Sequence, residues 1–178
     1  WRRPEGDDNT AFGLGLGYNG GNWGLGGMFA TVEGNYGAAG AWGRIGPFHN
    51  PTNIEGFKVN GWFDLGGNAS LSGHYAHWEA ADENDSGELG LLSGDDEADI
   101  LAINLDFTLN SNWDGSLGYE RVELDGFFDS AEMTWYTLGL GYNMGENADL
   151  MINYLFSDFD DTFFGKGGAL GVQATVRF

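Results

Sequence analysis

An all-β fold, an antiparallel transmembrane β-barrel of about ten strands, is what this sequence predicts, and three observations predict it. Apolar residues recur at every second position through many short segments. The connections between those segments alternate between short turns and long polar stretches. Glycine supplies 32 of the 178 residues, against roughly 7% in ordinary usage, while aromatic residues make up 15%. Only 3 prolines accompany the glycines and no G-X-Y period is present, which excludes collagen. The aromatic content argues against a disordered glycine-rich tract. No apolar run of about 18 residues exists, so a helical membrane span is not expected, whereas a spanning barrel needs only alternating residues.

The segments follow in chain order. Phe12, Leu14, Leu16 and Tyr18 alternate with glycines, and Trp23 to Val32 follows as a weaker strand. Tyr36 to Ile45 is read as a third strand. Phe57, Val59, Gly61, Phe63 and Leu65 alternate with Lys58, Asn60, Trp62 and Asp64. Ala69 to Trp78 comes next, then the row Leu101, Ile103, Leu105, Phe107 and Leu109, then Trp113 to Val122. Tyr136 to Tyr142, Leu150 to Phe156 and Leu170 to Phe178 complete the set. Side chains two apart share one face of a strand, so each segment carries an apolar face and a polar or small one. Residues 1–178 are read as one barrel domain. Trp1 to Asn9 reads as a strand end followed by a polar loop, so the chain is either a closed barrel or the C-terminal part of a larger one.

Short turns are expected at Glu33-Gly34-Asn35, Gly66-Gly67-Asn68, Asn110-Ser111-Asn112 and Gly145-Glu146-Asn147. Long polar connections fall at Gly46 to Asn53, Ala80 to Ala98, Glu123 to Glu132 and Ser157 to Gly168. Barrels of the bacterial outer membrane sort their connections this way, short on the periplasmic side and long outside. The Asn19 to Asn22 link is too short for the external side on which this ten-strand reading places it. Tyr18, Tyr36, Trp42, Tyr75, Trp113, Tyr119, Tyr136, Tyr142 and Phe178 lie near strand ends, where amphipathic rings meet lipid headgroups.

The end of the chain resembles bacterial outer-membrane proteins of the porin type. The matching residues are Leu170, Val172, Ala174, Val176 and the terminal Phe178, together with the stretch Trp135 to Gly145, which is similar to the penultimate hairpin of general porins. The resemblance implies that Phe178 is a signal read by the barrel-assembly machinery. It also implies a diffusion channel, although no constriction-loop motif or arginine cluster is recognisable.

With apolar rows on lipid, the opposite parity faces the lumen. Lys58, Asn60, Asp64, Ser72, His74, Asn104, Asp106, Glu120, Asn153, Gln173 and Arg177 are the expected lining residues, with Ser70, Ser116 and Thr175. Such a face suits a water-filled pore or a small plugged barrel. The glycines and alanines from Gly13 to Gly43 widen the lumen, admit bulky neighbours such as Trp62, or let a partner subunit approach in a homo-oligomer. Ser72 and His74 share a face, as in outer-membrane lipid hydrolases, with Asp64 or Asp106 as an orienting third group. No flanking motif of such an enzyme accompanies them, so a polar pair without catalysis is expected. His77 has the opposite parity, and His49 lies beside Pro51 in a loop.

The 27 acids outnumber the 7 lysines and arginines, giving a net charge of −20, and a nucleic-acid partner is excluded by repulsion. The absence of cysteine leaves the redox compartment open. Asp82, Glu83, Asp85, Glu88, Asp95, Asp96 and Glu97 crowd one external loop, and Asp158, Asp160 and Asp161 another. Oxygen ligands of this kind hold Ca²⁺ or Mg²⁺ loosely, but a solvated loop is the expected state, with no specific metal site or cofactor. The function these features favour is a passive, cation-preferring diffusion channel for ions and small hydrophilic solutes, embedded in outer-membrane lipid. A structural or adhesive barrel with a plugged lumen, a lipid-modifying hydrolase and a soluble barrel with inward apolar rows are the alternatives.

Overall fold

A computed structural model describes residues 10–32, 53–81, 96–126, 131–145, 147–159 and 166–176. Its nine strands are β1 (Ala11–Asn19), β2 (Trp23–Val32), β3 (Ile54–Gly66), β4 (Ala69–Glu79), β5 (Glu97–Asn110), β6 (Trp113–Asp125), β7 (Ala131–Gly145), β8 (Ala148–Phe159) and β9 (Gly167–Val176). They form one sheet in sequence order, every neighbour antiparallel. Each strand therefore pairs with the next along the chain, so the backbone's donors and acceptors are satisfied by local hairpins, as a lipid environment demands.

The expected strand Tyr36 to Ile45 lies outside the described residues, and the pairing leaves it no place between its neighbours. Val32 at the end of β2 is the direct partner of Ile54 at the start of β3. β2 therefore pairs directly with β3, and the turn expected at Glu33-Gly34-Asn35 also lies outside the described residues. This pairing removes the anomaly at Asn19 to Asn22. Residues 20–22, 67–68, 111–112 and 146–147 now fall together at one end, and 33–53, 80–96, 126–130 and 160–166 at the other.

The four short turns share one device. Asn19, Asp64, Asn110 and Asn143 each accept, through a side-chain oxygen, the backbone N–H two residues on, at 3.0, 2.8, 2.9 and 2.9 Å. Such Asx turns satisfy the backbone where the ladder stops. Gly66 and Gly67 follow with φ of 79° and 72°, the left-handed region that two consecutive residues occupy only in a tight hairpin turn. Backbone bonds of 2.7 Å from Asp64 to Asn22, Thr108 to Asn68 and Asn143 to Asn112 tie adjacent turns into a rim.

The apolar rows point outward. Leu16 is 78% exposed and Leu138 52%, and Phe12, Leu25, Phe63, Leu101, Ile103, Leu117, Tyr154, Leu170 and Val172 are exposed beside them. A soluble barrel would bury these rows, so that alternative fails. Aromatic pairs border the belt. Tyr18–Trp23 (4.9 Å) and Trp113–Tyr142 (4.5 Å) sit toward the short turns. Phe57–Tyr75 (5.9 Å), Tyr119–Tyr136 (5.5 Å) and Tyr136–Phe156 (6.3 Å) sit toward the long connections. The girdle reading of these rings matches that placement.

The chemistry of the two faces swaps near the long connections while the parity holds, which the alternation did not anticipate. There the outward positions are Glu55, His77, Glu79, Glu97, Asp99, Arg121, Glu123 and Glu132, while the inward ones form the buried core: Ala30, Val32, Ile54, Ala76, Trp78, Ala98, Ile100, Val122 and Leu124. Ala30 is 0% and Trp78 3% exposed. Several of the outward charges are paired: Tyr75 donates to Asp99 at 2.5 Å, His77 Nδ1 lies 3.0 Å from the same carboxylate, Arg121 binds Glu132 at 2.8 Å and Glu123, and Lys166 binds Asp158 at 2.9 Å.

Leu138 lies in the middle of the outward apolar belt, between Leu117 and Tyr154 in register. Leu138→Arg is expected to cost about 2–4 kcal/mol, the cost of an arginine facing lipid at the midplane. Urea titration of the protein refolded into phospholipid vesicles measures it, and an unchanged midpoint would contradict a lipid-facing Leu138.

Candidate functional site

The concave inner wall follows from parity plus register. Antiparallel pairing sets inward residues side by side in levels across the sheet. Below the buried apolar cluster, the first level carries Asn60, His74, Ala102, Glu120 and Trp135. The second carries Trp62, Ser72, Asn104, Gly118 and Thr137. The third carries Asp64, Ser70, Asp106, Ser116, Gly139 and Asn153. Asp114 and Asp149 lie lower still, toward the short turns.

Two cavities of about 1080 Å³ each occupy this wall. Lys58, Asn60, Ser72, His74, Asn104, Asp106, Glu120 and Asn153, all expected lining residues, surround the middle one, with Trp62, Trp135 and Thr137. The turn-end cavity is lined by Asp64, Asp106, Asp114 and Asp149 among asparagines and hydroxyls, and, among the described residues, by no lysine or arginine. Asp106, Ser116 and Asn153 border both, so the two adjoin. Gln173 has the inward parity on β9, as the register partner of Met151, but borders neither cavity. Arg177 and Phe178 lie outside the described residues, as do Tyr36, Trp42, His49 and the loop acids Asp82, Glu83, Asp85, Glu88, Asp95, Asp160 and Asp161.

Local bonds fix several of these groups. Asn104 Nδ2 donates to Asp106 Oδ2 at 2.6 Å, and Thr108 Oγ1 donates to Asp114 Oδ1 at 2.8 Å. Glycine opposite a large side chain does the rest. A Cβ on Gly24 would stand 2.2 Å from the Trp62 indole nitrogen, and one on Gly139 2.2 Å from Ser116 Oγ. Of the three uses open to the inward glycines, the seating of Trp62 is therefore the one realised at Gly24.

Ser72 and His74 both border the middle cavity, but no Ser–His–Asp arrangement forms around them. The register sets Asp64 and Asp106 beside Ser70, four residues along β4 from His74, which is about 13 Å at the usual strand rise. Among the described residues, no group of three or more His, Asp or Glu is arranged to hold a metal ion. Trp135, Thr137, Asp114 and Asp149 were absent from the sequence-based lining set. Their parity opposite Tyr136, Leu138, Leu117 and Leu150 was the available signal.

The family model described as Gram-negative porin matches residues 2–162. No curated protein sequence matches the chain. Among solved structures, outer-membrane expressed OmpT of Vibrio cholerae is similar with a TM-score of 0.67 at 16% identity, covering 93% of this chain and 55% of that one. A loop L8 deletion mutant of OmpT from Vibrio cholerae gives 0.63 at 18% identity, covering 92% and 52%. The anion-selective porin from Comamonas acidovorans gives 0.61 at 14% identity, covering 92% and 45%. The chain thus spans about half the length of the structures it matches.

Gly24→Val is expected to destabilise the protein by about 1–3 kcal/mol through the clash with Trp62. The double variant Gly24→Val with Trp62→Ala should recover part of that loss in a denaturant cycle. Strictly additive costs would show that the two residues do not share the space.

Proposed function

The chain belongs to the Gram-negative porin family, and from that membership we propose that it forms wall of a passive diffusion channel for ions and small hydrophilic solutes, without covalent chemistry, that prefers cations. Its place is the bacterial outer membrane. The observation that carries the channel is the inward polar wall lining two adjoining cavities, where amides, hydroxyls and carboxylates would replace part of a solute's hydration. Lys58, Asn60, Asp64, Ser72, His74, Asn104, Asp106, Glu120 and Asn153 are its proposed lining, with Gln173 and Arg177 on the same parity. Phe178 remains the proposed assembly signal for the barrel-assembly machinery.

Cation preference rests on the turn-end cavity. Four aspartates line it with no described base, and clustered carboxylates raise the local concentration of cations. The acid-rich connections around Asp82 to Glu97 and Asp158 to Asp161 add to the same field at the other mouth and would hold Ca²⁺ or Mg²⁺ only loosely. The Comamonas porin is described as anion-selective, and this lining argues for the opposite sign.

One observation favours a second reading, a structural or adhesive barrel with a closed lumen. The inward face near the long connections is apolar and buried, so it offers water no path there. Planar-bilayer recording of the purified full-length protein separates the two. Stable current steps support the channel, and a protein that inserts without any favours the closed barrel.

In a KCl gradient the channel should give a reversal potential of the sign set by K⁺. Replacing Asp64, Asp106, Asp114 and Asp149 together by asparagine should move that potential toward zero, most strongly in dilute salt, where screening is weakest. An unchanged potential would remove these carboxylates as the source of selectivity.

A further inference from the structure

The middle cavity differs in chemistry from the acidic one below it. We propose that it is a binding station for neutral polyhydroxylated solutes of the carbohydrate class, held between Trp62 and Trp135 over a floor of amides and hydroxyls. The proposal rests on the channel reading, because it names what such a lumen would retain.

Trp62 is 36% exposed, and its indole lies against Gly24, so the ring is seated on the wall. Trp135 is anchored at the edge of the buried apolar cluster, where it packs, and borders the same cavity from β7. Four strand spacings separate β3 from β7, about 19 Å around the curved wall at the usual inter-strand distance. That span suits a short linear oligomer better than a single ion.

Between the indoles the floor presents Asn60, Ser72, Asn104 and Thr137, which offer both donors and acceptors. The amide of Asn104 is held by its bond to Asp106. Gly118 and Ala102 leave the floor low between them. Lys58 stands among the lining beside the carboxylates of Glu120 and Asp106, so this stretch lacks the purely acidic lining found below.

A sugar ring matches this arrangement on both counts. Its C–H face is apolar and packs on an indole, while its equatorial hydroxyls need donors and acceptors along an edge. A simple cation needs no aromatic wall. A phosphorylated or carboxylated solute would meet the four aspartates of the adjoining cavity.

Maltopentaose, a neutral linear oligosaccharide, is the probe. Added to full-length protein conducting in a planar bilayer, it should produce concentration-dependent current interruptions. A neutral polyethylene glycol of equal hydrodynamic size should produce at least tenfold fewer. Trp62→Ala and Trp135→Ala should each weaken the block about tenfold, and Trp62→Phe should retain most of it. Heat-modifiable migration on gels identifies variants that have folded. Equal block by sugar and polymer, or an unchanged block in folded Trp62→Ala, would overturn the station and leave the channel standing.

If no current steps occur, the channel reading fails, and tryptophan fluorescence of the detergent-solubilised protein decides the site by itself. A maltopentaose-dependent change lost in Trp62→Ala supports the site. No change overturns it.

Discussion

Hydrogen-bond satisfaction of the backbone in lipid is the constraint on which everything else here depends. A strand in hydrocarbon has no water to turn to, so each N–H and C=O must meet another strand. Nine strands pairing strictly in sequence order meet that demand for every interior strand. β1 and β9 each have one edge without a described partner, and both run in the same direction. An all-antiparallel wall can therefore close only through an odd number of further strands, whichever chain supplies them. Pairing also fixes parity, and parity sends leucine, phenylalanine and tyrosine outward, leaving amides, hydroxyls and glycine within.

Strand length explains why that rule reverses near the long connections. β5 has 14 residues and β7 has 15, whereas about 9–11 tilted residues cross a bilayer. The surplus stands beyond the lipid, where the outside is water. There the ordinary arrangement of a soluble sheet returns: Glu55, Asp99, Glu123 and Glu132 face out, and Val32, Ile54, Trp78 and Val122 pack within. The change occurs beside Tyr75, Tyr119 and Tyr136, rings suited to a boundary between hydrocarbon and headgroup.

The fold was largely legible because period two survives in sequence, and so was the direction of the apolar rows. Tyr36 to Ile45, outside the described residues, shows the limit of that signal, since alternation states only that a segment could be a strand. What decides is the partner, and Val32 takes Ile54. The site was legible residue by residue and illegible as a whole. Parity alone assigned Asp64, Asn104 and Glu120 to one face. The gathering of Asp64, Asp106, Asp114 and Asp149 into one mouth needs the registers of several hairpins, each set by its own turn. Trp135 was legible by the same parity, opposite the outward row that begins at Tyr136, but an indole does not announce a polar lining.

Scarcity of base then decides what the lumen feels. Among the described residues the lysines and arginines are Lys58, Arg121 and Lys166. Arg121 faces outward, bound to Glu132 and Glu123, and Lys166 is bound to Asp158. Each sits in an ion pair at the edge of the lipid belt, where a partner lowers the cost of leaving water. That leaves Lys58 as the one described lysine or arginine bordering either cavity, at the register level of Ala76, directly under the apolar cluster. The wall thus carries Lys58 and Glu120 on adjoining levels high up, and only carboxylates among the described charges at the turn end. On the proposed channel reading, those aspartates would draw cations toward the short turns, while an uncharged solute, indifferent to that field, would be held by the proposed tryptophan station above them, so that different side chains of one wall would sort the two.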